Sequence, residues 1–449
     1  MTSHDRPSSR SAVVNSVMAA LVFFISVYVF APGISREPLF VDEAAFVSQS
    51  YFWDLAASGR VNDPLWLEFP AYDLPPLPKY LIGAALQVGG IARVDRSWAL
   101  AWYANIHERR FLSDRTLWVA RCPSMILGAL GCVAIFAIGT IAANRRTGLV
   151  ASFLLMTNPL YRLHAMRAMA DIPAEAFILA TSAVALAFWC VAMRGKPRLL
   201  LSIAMGIVIG VLAGLAVLSK LNGGLGLMIV ASWVALGIGI APTGNRKAVW
   251  ANLLVMFVLC GLTSLATFVL LNPFVTAHPS RLPAFPMAAS VPPSESPVAR
   301  IGTILRHRLS VPEDQQALFP HNALTTPAEK IRTLAVQGFG RFGPLGASHT
   351  DSTIRYDWRQ DWGAAVWLPL VLAGYIWSFV RGRNQSRRGE PATYWAIGIL
   401  SLVSMITVGA MLPLAWDRYF LSIQAGSCLM AAVVVIGGFD AVRARGRVS

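Results

Sequence analysis

Residues 199–220 read LLLSIAMGIVIGVLAGLAVLSK, an apolar run that ends at a single lysine. No ionisable side chain interrupts the stretch from Leu199 to Ser219. At about 1.5 Å of rise per residue, a helix of this length matches the ~30 Å hydrocarbon core of a bilayer. The stretch therefore predicts a membrane-spanning helix, and Lys220 marks the point where the chain leaves the hydrocarbon.

The rest of the chain repeats this pattern. Of its residues, 55% are hydrophobic and 14% are charged, whereas ordinary soluble domains contain about 25% charged residues. This composition excludes an ordinary cytosolic enzyme and a disordered chain, and it predicts an all-α polytopic membrane protein. Ten spans are expected, at about 12–31, 122–143, 148–161, 172–193, 199–219, 221–241, 248–271, 364–380, 392–412 and 419–439. The third is short and breaks at Asn158-Pro159.

The net charge of +15 and a pI of about 10.2 could suggest a nucleic-acid partner. The basic residues lie between apolar runs rather than on one soluble face, so no nucleic acid is expected. Because Lys and Arg mark cytoplasmic loops, both termini are predicted to be cytoplasmic. The inside segments then hold sixteen basic residues and three acidic ones, in the ranges 1–11, 144–147, 194–198, 242–247, 381–391 and 440–449.

This orientation leaves two long loops outside the cytoplasm, at about 32–121 and 272–363. The stretch Leu77 to Ile91 is apolar but short, and a crossing there would invert every later loop. It is therefore interpreted as a helix on the outer membrane surface. In the second loop, Ser296-Pro297 and the capping box Thr326-Pro327-Ala328-Glu329 predict juxtamembrane helices.

Several kinds of chemistry lack support in the sequence. Apart from Glu175, the ten spans contain no ionisable residue, which counts against an ion-coupled transporter. The histidines show no HxH or HExxH spacing, so no metal site is expected. The sequence also has no GxxxxGK[ST] motif and no strand-embedded GxGxxG, so no nucleotide cofactor is implied.

Titratable residues gather instead at the predicted outer surface. Asp42-Glu43, about ten residues after the first span, could divide catalytic work, with one carboxylate taking a proton and the other positioning a substrate. The alternative is that Asp42 caps a helix that begins at Glu43. Lys79, in the segment Asp73-Leu74-Pro75-Pro76-Leu77-Pro78-Lys79-Tyr80, could meet a phosphate, or could extend along the apolar surface to reach water.

Four further elements map to the same outer side: Arg121 at the start of span 2, Arg167-Ala168-Met169-Ala170-Asp171 before span 4, Lys220, and Trp416-Asp417-Arg418-Tyr419 at span 10. Each has an alternative interpretation as an interfacial anchor or, for Asp171, as a helix cap. Their joint presence on the less basic side favours a site that binds phosphate.

Taken together, these elements resemble the GT-C superfamily of glycosyltransferases, in the branch of the protein O-mannosyltransferases and lipid A aminoarabinose transferases (glycosyltransferase family 39-like). The resemblance rests on Asp42-Glu43, Pro75-Pro76-Leu77-x-Lys79-Tyr80, Arg121, Arg167-x-Met169-x-Asp171, Lys220 and Arg418-Tyr419, and it is densest over residues 35–225.

The resemblance implies an inverting transfer of a sugar from a polyprenyl-phosphate donor outside the cytoplasm, with Asp42 as the general base. Glu43 would assist in catalysis, while Asp171 and Tyr419 would orient the reacting groups. The donor phosphate would be held by the cationic residues Lys79, Arg121, Arg167, Lys220 and Arg418. No cofactor is then needed, and the partners are the lipid-linked sugar, the bilayer and an acceptor glycan, lipid or protein.

The implied organisation is a catalytic transmembrane module at 1–271 that includes the first loop, a loop at 272–363 that covers the acceptor, and C-terminal helices at 364–449. Neither an inserted β-trefoil domain nor a sizeable soluble domain after the last span is expected, which favours a bacterial inner-membrane enzyme. The alternatives are a lipid or solute transporter, and a catalytically silent assembly subunit.

Overall fold

The computed structural model describes residues 9–95, 112–195, 199–280, 291–292, 294–346 and 356–445. Within these ranges the chain is helical, with one isolated bridge between Ala323 and Leu414. The helices up to the second long loop are α1 Ser9–Ile34, α2 Val41–Ser48, α3 Tyr51–Ala57, α4 Phe69–Asp73, α5 Leu77–Val88, α6 Asp114–Ala142, α7 Arg145–Thr157, α8 Pro159–Ala165, α9 Asp171–Met193, α10 Leu199–Ser219, α11 Leu225–Gly239 and α12 Arg246–Leu270.

The remaining helices are α13 Pro273–Thr276, α14 Pro297–Leu318, α15 Pro327–Thr333, α16 Trp358–Asp361, α17 Gly363–Arg387, α18 Thr393–Met411 and α19 Leu421–Arg445. In the described ranges, nine helical segments are long and apolar enough to cross a membrane. They correspond to nine of the ten predicted spans, and the all-α polytopic fold is confirmed.

The predicted span 148–161 differs from the others, because it consists of two short helices. Asn158 ends α7, and its side chain accepts a hydrogen bond from the backbone N–H of Tyr161 to begin α8. Arg145, at the start of α7, bonds Asn15 near the start of α1, whereas Arg167, just after α8, bonds Glu37 beyond the end of α1. The pair α7 and α8 therefore connects the two ends of the bundle, and the break lies at the predicted Asn158-Pro159.

Glycines let α10 and α12 approach closely. A Cβ atom added at Gly210 would lie 2.7 Å from the carbonyl oxygen of Cys260, and one added at Gly206 would lie 2.8 Å from that of Met256. Gly214 makes the same kind of contact one turn further on, with Ser264. The glycine series at four-residue spacing thus packs two membrane helices together, as small residues do in bilayers.

The first outer loop folds into short helices. Of these, α5 has 12 residues, and a helix of about 18 Å is too short to cross the hydrocarbon. It packs against α3 and α6. In the second loop, Ser296 caps α14 and the Thr326–Glu329 capping box begins α15, as the sequence predicts.

The second loop docks on the segment before α19. The backbone N–H of Leu324 donates to the carbonyl of Pro413, and Gln316 donates to the same carbonyl. One apolar core runs from Val22 to Val433, so the C-terminal helices share it with the N-terminal ones. Of the Pro-rich stretch, 281–290 and 293 lie outside the described residues.

Candidate active site

The Asp42-Glu43 pair lies at the start of α2. Phe40 precedes the helix, and its backbone N–H donates to Oε2 of Glu43 at 3.0 Å. Glu43 therefore closes the first turn, and Asp42 does not act as the cap. The side chain of Asp42 turns away from the helix backbone and is 25% exposed.

Glu43 is fully buried and forms a two-pronged ion pair with Arg121 of α6. Arg121 donates from Nε to Oε1 at 2.8 Å and from Nη2 to Oε2 at 2.7 Å. Its remaining donors bind the backbone carbonyls of Ile34, Glu37 and Pro38. Because Arg121 is 1% exposed and its donors are bound within the protein, it holds the chain between α1 and α2 in place.

Two further contacts fix this segment from the α8–α9 connection. The backbone N–H of Ala168 donates to Oε1 of Glu43 at 2.7 Å. Arg167 donates from Nη2 to Glu37 at 2.8 Å, and its guanidinium lies 4.2 Å from the ring centroid of Phe40. The loop that carries Asp42 is thus held from both α6 and the α8–α9 connection.

Asp42 meets Arg418, from the short turn Asp417–Phe420 that precedes α19. Nη1 of Arg418 donates to Oδ2 of Asp42 at 2.5 Å. Among the described residues, Oδ1 of Asp42 accepts no hydrogen bond. The guanidinium of Arg418 is also stacked 4.7 Å from the ring centroid of Trp416, which fixes its orientation.

A second exposed cation stands beside this pair. Nζ of Lys220 donates to Oδ1 of Asp171 at 2.7 Å, and the lysine side chain is 24% exposed whereas the aspartate is 5% exposed. Asp171 also lies within electrostatic range of Arg418. Asp171 is the first residue of α9, but its carboxylate accepts the hydrogen bond from Lys220 and does not cap the helix.

Behind these groups lies His164 of α8, which is buried. Neither of its ring nitrogens has a hydrogen-bond partner among the described residues. Nε2 lies 3.8 Å from Oδ2 of Asp417, and Nη1 of Arg167, which also lacks a partner there, lies 3.9 Å from the same oxygen. Gaps of this size between polar groups suit a bridging water.

Lys79 does not extend outward along the apolar surface. It is fully buried, and its Nζ donates to the carbonyls of Pro70 and Leu74. Burial lowers the pKa of Lys79 to about 7; the carboxylate of Asp73 opposes this shift and Arg308 adds to it. These contacts favour a role in holding the turn between α4 and α5 over direct contact with a phosphate.

Asp73 anchors α14 to the first loop. It accepts hydrogen bonds from Nε2 of His307 at 3.1 Å and from Nη2 of Arg308 at 3.0 Å. Burial by itself would raise the pKa of Asp73, but the bonds from His307 and the charges of Arg308 and Lys79 lower it overall. Near the other end of α14, Gln315 accepts a hydrogen bond from the hydroxyl of Tyr419 at 2.7 Å.

The structure therefore divides the predicted site residues into two groups. Asp42, Arg418 and Lys220 are partly exposed and lie together with Asp171. Glu43, Arg121 and Lys79 are buried and form hydrogen bonds with other groups of the protein. The sequence interpretation missed Glu37, His164 and Asp417 as site residues; a signal for two of them was their position beside Arg167 and Arg418.

Among the described residues, no three His, Cys, Asp or Glu side chains converge in a group that could hold a metal ion. The candidate site thus consists of carboxylates and cations that alternate with one another. They lie at the end of α1, the start of α6, the α8–α9 connection, the end of α10 and the start of α19.

Comparison with known proteins gives the family context. Residues 66–274 match the family described as dolichyl-phosphate-mannose-protein mannosyltransferase. A search of curated protein sequences returned no significant match.

Two solved structures of oligosaccharyltransferases show the same fold. The oligosaccharyltransferase AglB from Archaeoglobus fulgidus, in complex with an inhibitory peptide and a dolichol-phosphate, aligns at 13% identity and a TM-score of 0.53, covering 96% of this chain and 51% of that one. The apo oligosaccharyltransferase from the same organism aligns at 12% identity and a TM-score of 0.54, with 96% and 51% coverage. ArnT from Cupriavidus metallidurans bound to undecaprenyl phosphate aligns at 13% identity and a TM-score of 0.49. The alignment covers 95% of this chain and 60% of that one.

The chain spans about half the length of the oligosaccharyltransferases it matches. The match to the mannosyltransferase family covers the first loop from Trp66 and the helices up to Phe274. The multi-pass helical fold is thus that of the Archaeoglobus fulgidus oligosaccharyltransferases, and residues 66–274 match the dolichyl-phosphate-mannose-protein mannosyltransferase family.

Proposed function

We propose that the chain transfers a glycosyl group from a polyprenyl-phosphate donor to an acceptor, in a single displacement that inverts the anomeric carbon. The observation that carries this proposal is the Asp42 carboxylate: Arg418 binds its Oδ2, and Oδ1 accepts no hydrogen bond from the part of the chain that the structure describes. A carboxylate in this state can take a proton from an acceptor hydroxyl or amine. Its immediate neighbours are the cations that a departing phosphate needs.

In the proposed step, Oδ1 of Asp42 accepts the proton of the acceptor group. The acceptor oxygen or nitrogen then forms a bond to the anomeric carbon, and the bond from that carbon to the phosphate oxygen breaks. The electron pair of the broken bond leaves with the polyprenyl phosphate. Positive groups that already point at this oxygen stabilise its developing charge without reorganisation.

Arg418 and Lys220 are the cations best placed to hold the donor phosphate. Both are partly exposed, and each uses part of its donor set on a carboxylate, Asp42 or Asp171. Arg418 presents a planar fork that suits phosphate, whereas Lys220 is a compact charge. Nη1 of Arg167 adds a donor without a partner among the described residues.

Buried residues would position these groups. Glu43 and Arg121 hold the loop of Asp42, so the proposal assigns them support in place of the direct catalytic and phosphate contacts expected from the sequence. Lys79 would stabilise the turn before α5 in the same manner. Asp171 orients Lys220, and Tyr419 connects the Arg418 turn to α14 through Gln315.

The donor class is supported by the family match, whose description names a dolichyl-phosphate sugar, and by the dolichol-phosphate in the AglB complex. The distribution of basic residues favours an orientation with both termini cytoplasmic and the site outside, and the membrane of this proposal is the bacterial inner membrane. The acceptor would be a protein, lipid A or an envelope glycan, received under the second loop.

Purified protein in proteoliposomes, supplied with a radiolabelled polyprenyl-phosphate sugar and envelope lipid or protein acceptors, tests the proposal. The expected result is a covalent product whose anomeric configuration, measured by NMR, is opposite to that of the donor. A product with retained configuration would contradict the single displacement. Substrate flux without covalent transfer would indicate a transporter, and copurification with an active partner without intrinsic transfer would indicate an assembly subunit.

A further inference from the structure

A cavity lies at the end of the bundle opposite the candidate active site. Its volume is about 580 Å³. We call it the far-end cavity, and its wall consists of Ser11 and Asn15 of α1, Thr140 of α6, Asn144, Arg145 and Arg146 at the start of α7, and Asp440 of α19. None of these residues contributes to the site described above.

The level of the far-end cavity in the membrane can be derived from α6, because this helix extends from the candidate active site to the cavity. Arg121 lies at the active-site end of this helix and Thr140 lies in the cavity wall. Nineteen residues of helix span about 28 Å, close to the ~30 Å thickness of the hydrocarbon core. The cavity therefore lies at the level of the lipid headgroups in the leaflet opposite the active site.

One side of the far-end cavity is cationic. Arg145 is oriented by Asn15, which accepts from its Nε at 2.5 Å, and by Ser11, whose carbonyl and hydroxyl accept from Nη2. Its Nη1 donates to no acceptor among the described residues and remains able to bind a ligand. The N-terminus of α7 lies at the same place and adds its positive dipole.

Arg146 and Asp440 form an ion pair in the cavity wall, with 3.4 Å between Nη1 and Oδ1 and side chains that are 59% and 46% exposed. An ion pair this exposed contributes little stability and separates readily. A ligand with a phosphate and an adjacent ammonium could insert between the two, because each charge would find an opposite partner. A headgroup with only negative charge would meet the Asp440 carboxylate as a repulsive neighbour.

We propose that the far-end cavity binds a phosphoethanolamine headgroup, with its phosphate on Arg145 and Arg146 and its ammonium on Asp440. The source of this headgroup is phosphatidylethanolamine of the surrounding leaflet. The depth of the cavity matches that of a lipid headgroup, and the exposed apolar side chains of Val435 and Phe439, which precede Asp440 on α19, offer a surface to the acyl chains. Basic pockets between membrane helices bind lipid headgroups in this manner.

Native mass spectrometry of the whole delipidated chain, titrated with phosphatidylethanolamine or phosphatidylglycerol, tests this proposal. The wild-type chain is expected to prefer phosphatidylethanolamine. Arg145→Gln should weaken its binding about tenfold, the factor that corresponds to one charge-assisted hydrogen bond. Arg387→Gln is the matched control, because Arg387 is an exposed arginine of α17 outside the cavity, and it should leave binding unchanged.

Asp440→Asn provides a second test that does not depend on Arg145 or on its role in holding α1. This variant should lose the preference for phosphatidylethanolamine, because the ammonium loses its partner and the phosphatidylglycerol phosphate loses a repulsive neighbour. Equal binding by Arg145→Gln and Arg387→Gln, or an unchanged preference in Asp440→Asn, would overturn the proposal. Displacement of the lipid by an equal concentration of soluble phosphoethanolamine would overturn the assignment of the source to the membrane.

Discussion

Arg418 donates a hydrogen bond from Nη1 to Oδ2 of Asp42, and so joins residues that are 376 positions apart in the chain. The contact connects the first outer loop to the turn before the last membrane helix. The second oxygen of Asp42, which has no hydrogen-bond partner among the residues that the structure describes, lies on the same carboxylate, next to a guanidinium that can bind a phosphate. The base and the phosphate-binding group of the proposed reaction are thus held together by one bond.

The Glu43–Arg121 pair predicts a stability defect without a direct effect on donor binding. Arg121→Gln leaves Glu43 buried beside a neutral partner, and removal of one member of a buried pair typically costs about 3–5 kcal/mol. We expect a marked fall in the thermal unfolding temperature. Arg60→Gln, which removes the more exposed Arg60–Asp63 pair, should cost less than ~1 kcal/mol. An Arg121→Gln protein of normal stability with a raised donor KM would instead assign Arg121 to the phosphate.

Lys220 is expected to act on the donor. Lys220→Gln removes a charge that can contact the phosphate, and it should raise the donor KM about tenfold, since a charge-assisted hydrogen bond contributes about 1.5–3 kcal/mol. Lys220→Arg should retain most of the affinity because it keeps the charge. Asp171→Asn, which removes the group that orients Lys220 but keeps the lysine charge, should raise the donor KM less than Lys220→Gln does. If Lys220→Gln left the donor KM at the wild-type value, the role of Lys220 would be structural only.

Lys79 predicts a pH dependence of stability. Burial lowers its pKa to about 7 in the folded protein, whereas the pKa of an unfolded lysine is about 10.4. Between these values the unfolded chain binds more protons, so stability should rise with pH by up to about 1.4 kcal/mol per pH unit. Lys79→Met should remove this rise. Thermal unfolding of the wild type and of Lys79→Met from pH 7 to pH 10 measures this rise in stability. If the unfolding temperatures of the two proteins changed in parallel with pH, the prediction would be contradicted.

Asp73 predicts an effect on the acceptor through α14. Asp73→Asn weakens the bonds from His307 and Arg308 that hold this helix on the first loop. We expect a higher acceptor KM with an unchanged donor KM, together with faster proteolysis of the second loop. Arg306→Gln, which changes an exposed neighbour on the same helix, should behave as the wild type does. A change confined to the donor KM would separate α14 from the acceptor.

The sequence alone was sufficient to predict the membrane helices, because apolar runs such as 199–219 have a length that only a bilayer requires. It also located the break at Asn158-Pro159, where the chain uses two short helices for one crossing. The glycines of α10 at four-residue spacing leave room for a facing backbone, but the structure was needed to show that this backbone belongs to α12.

The direction of individual side chains could not be derived in this way. Asp42 and Glu43 are adjacent, yet one faces Arg418 and the other faces Arg121, and this difference depends on helices far away in the sequence. Lys79 was expected near the surface because its neighbours are prolines and apolar residues. The carbonyls of Pro70 and Leu74 that hold it inside come from a turn whose path no local pattern specifies. His164 matches no ligand spacing, so its position three residues before Arg167 did not by itself indicate that it lies at the site.

The proposed mechanism depends on Asp42 as the general base, and the decisive measurement is the rate of sugar transfer by Asp42→Asn. Asparagine preserves the shape of the side chain and can still contact Arg418, but it cannot take a proton. We expect a loss in kcat of about 10²–10⁴-fold, the range typical of a general base, with an unfolding temperature close to that of the wild type. Transfer by Asp42→Asn at a rate near that of the wild type would show that Asp42 is not the base.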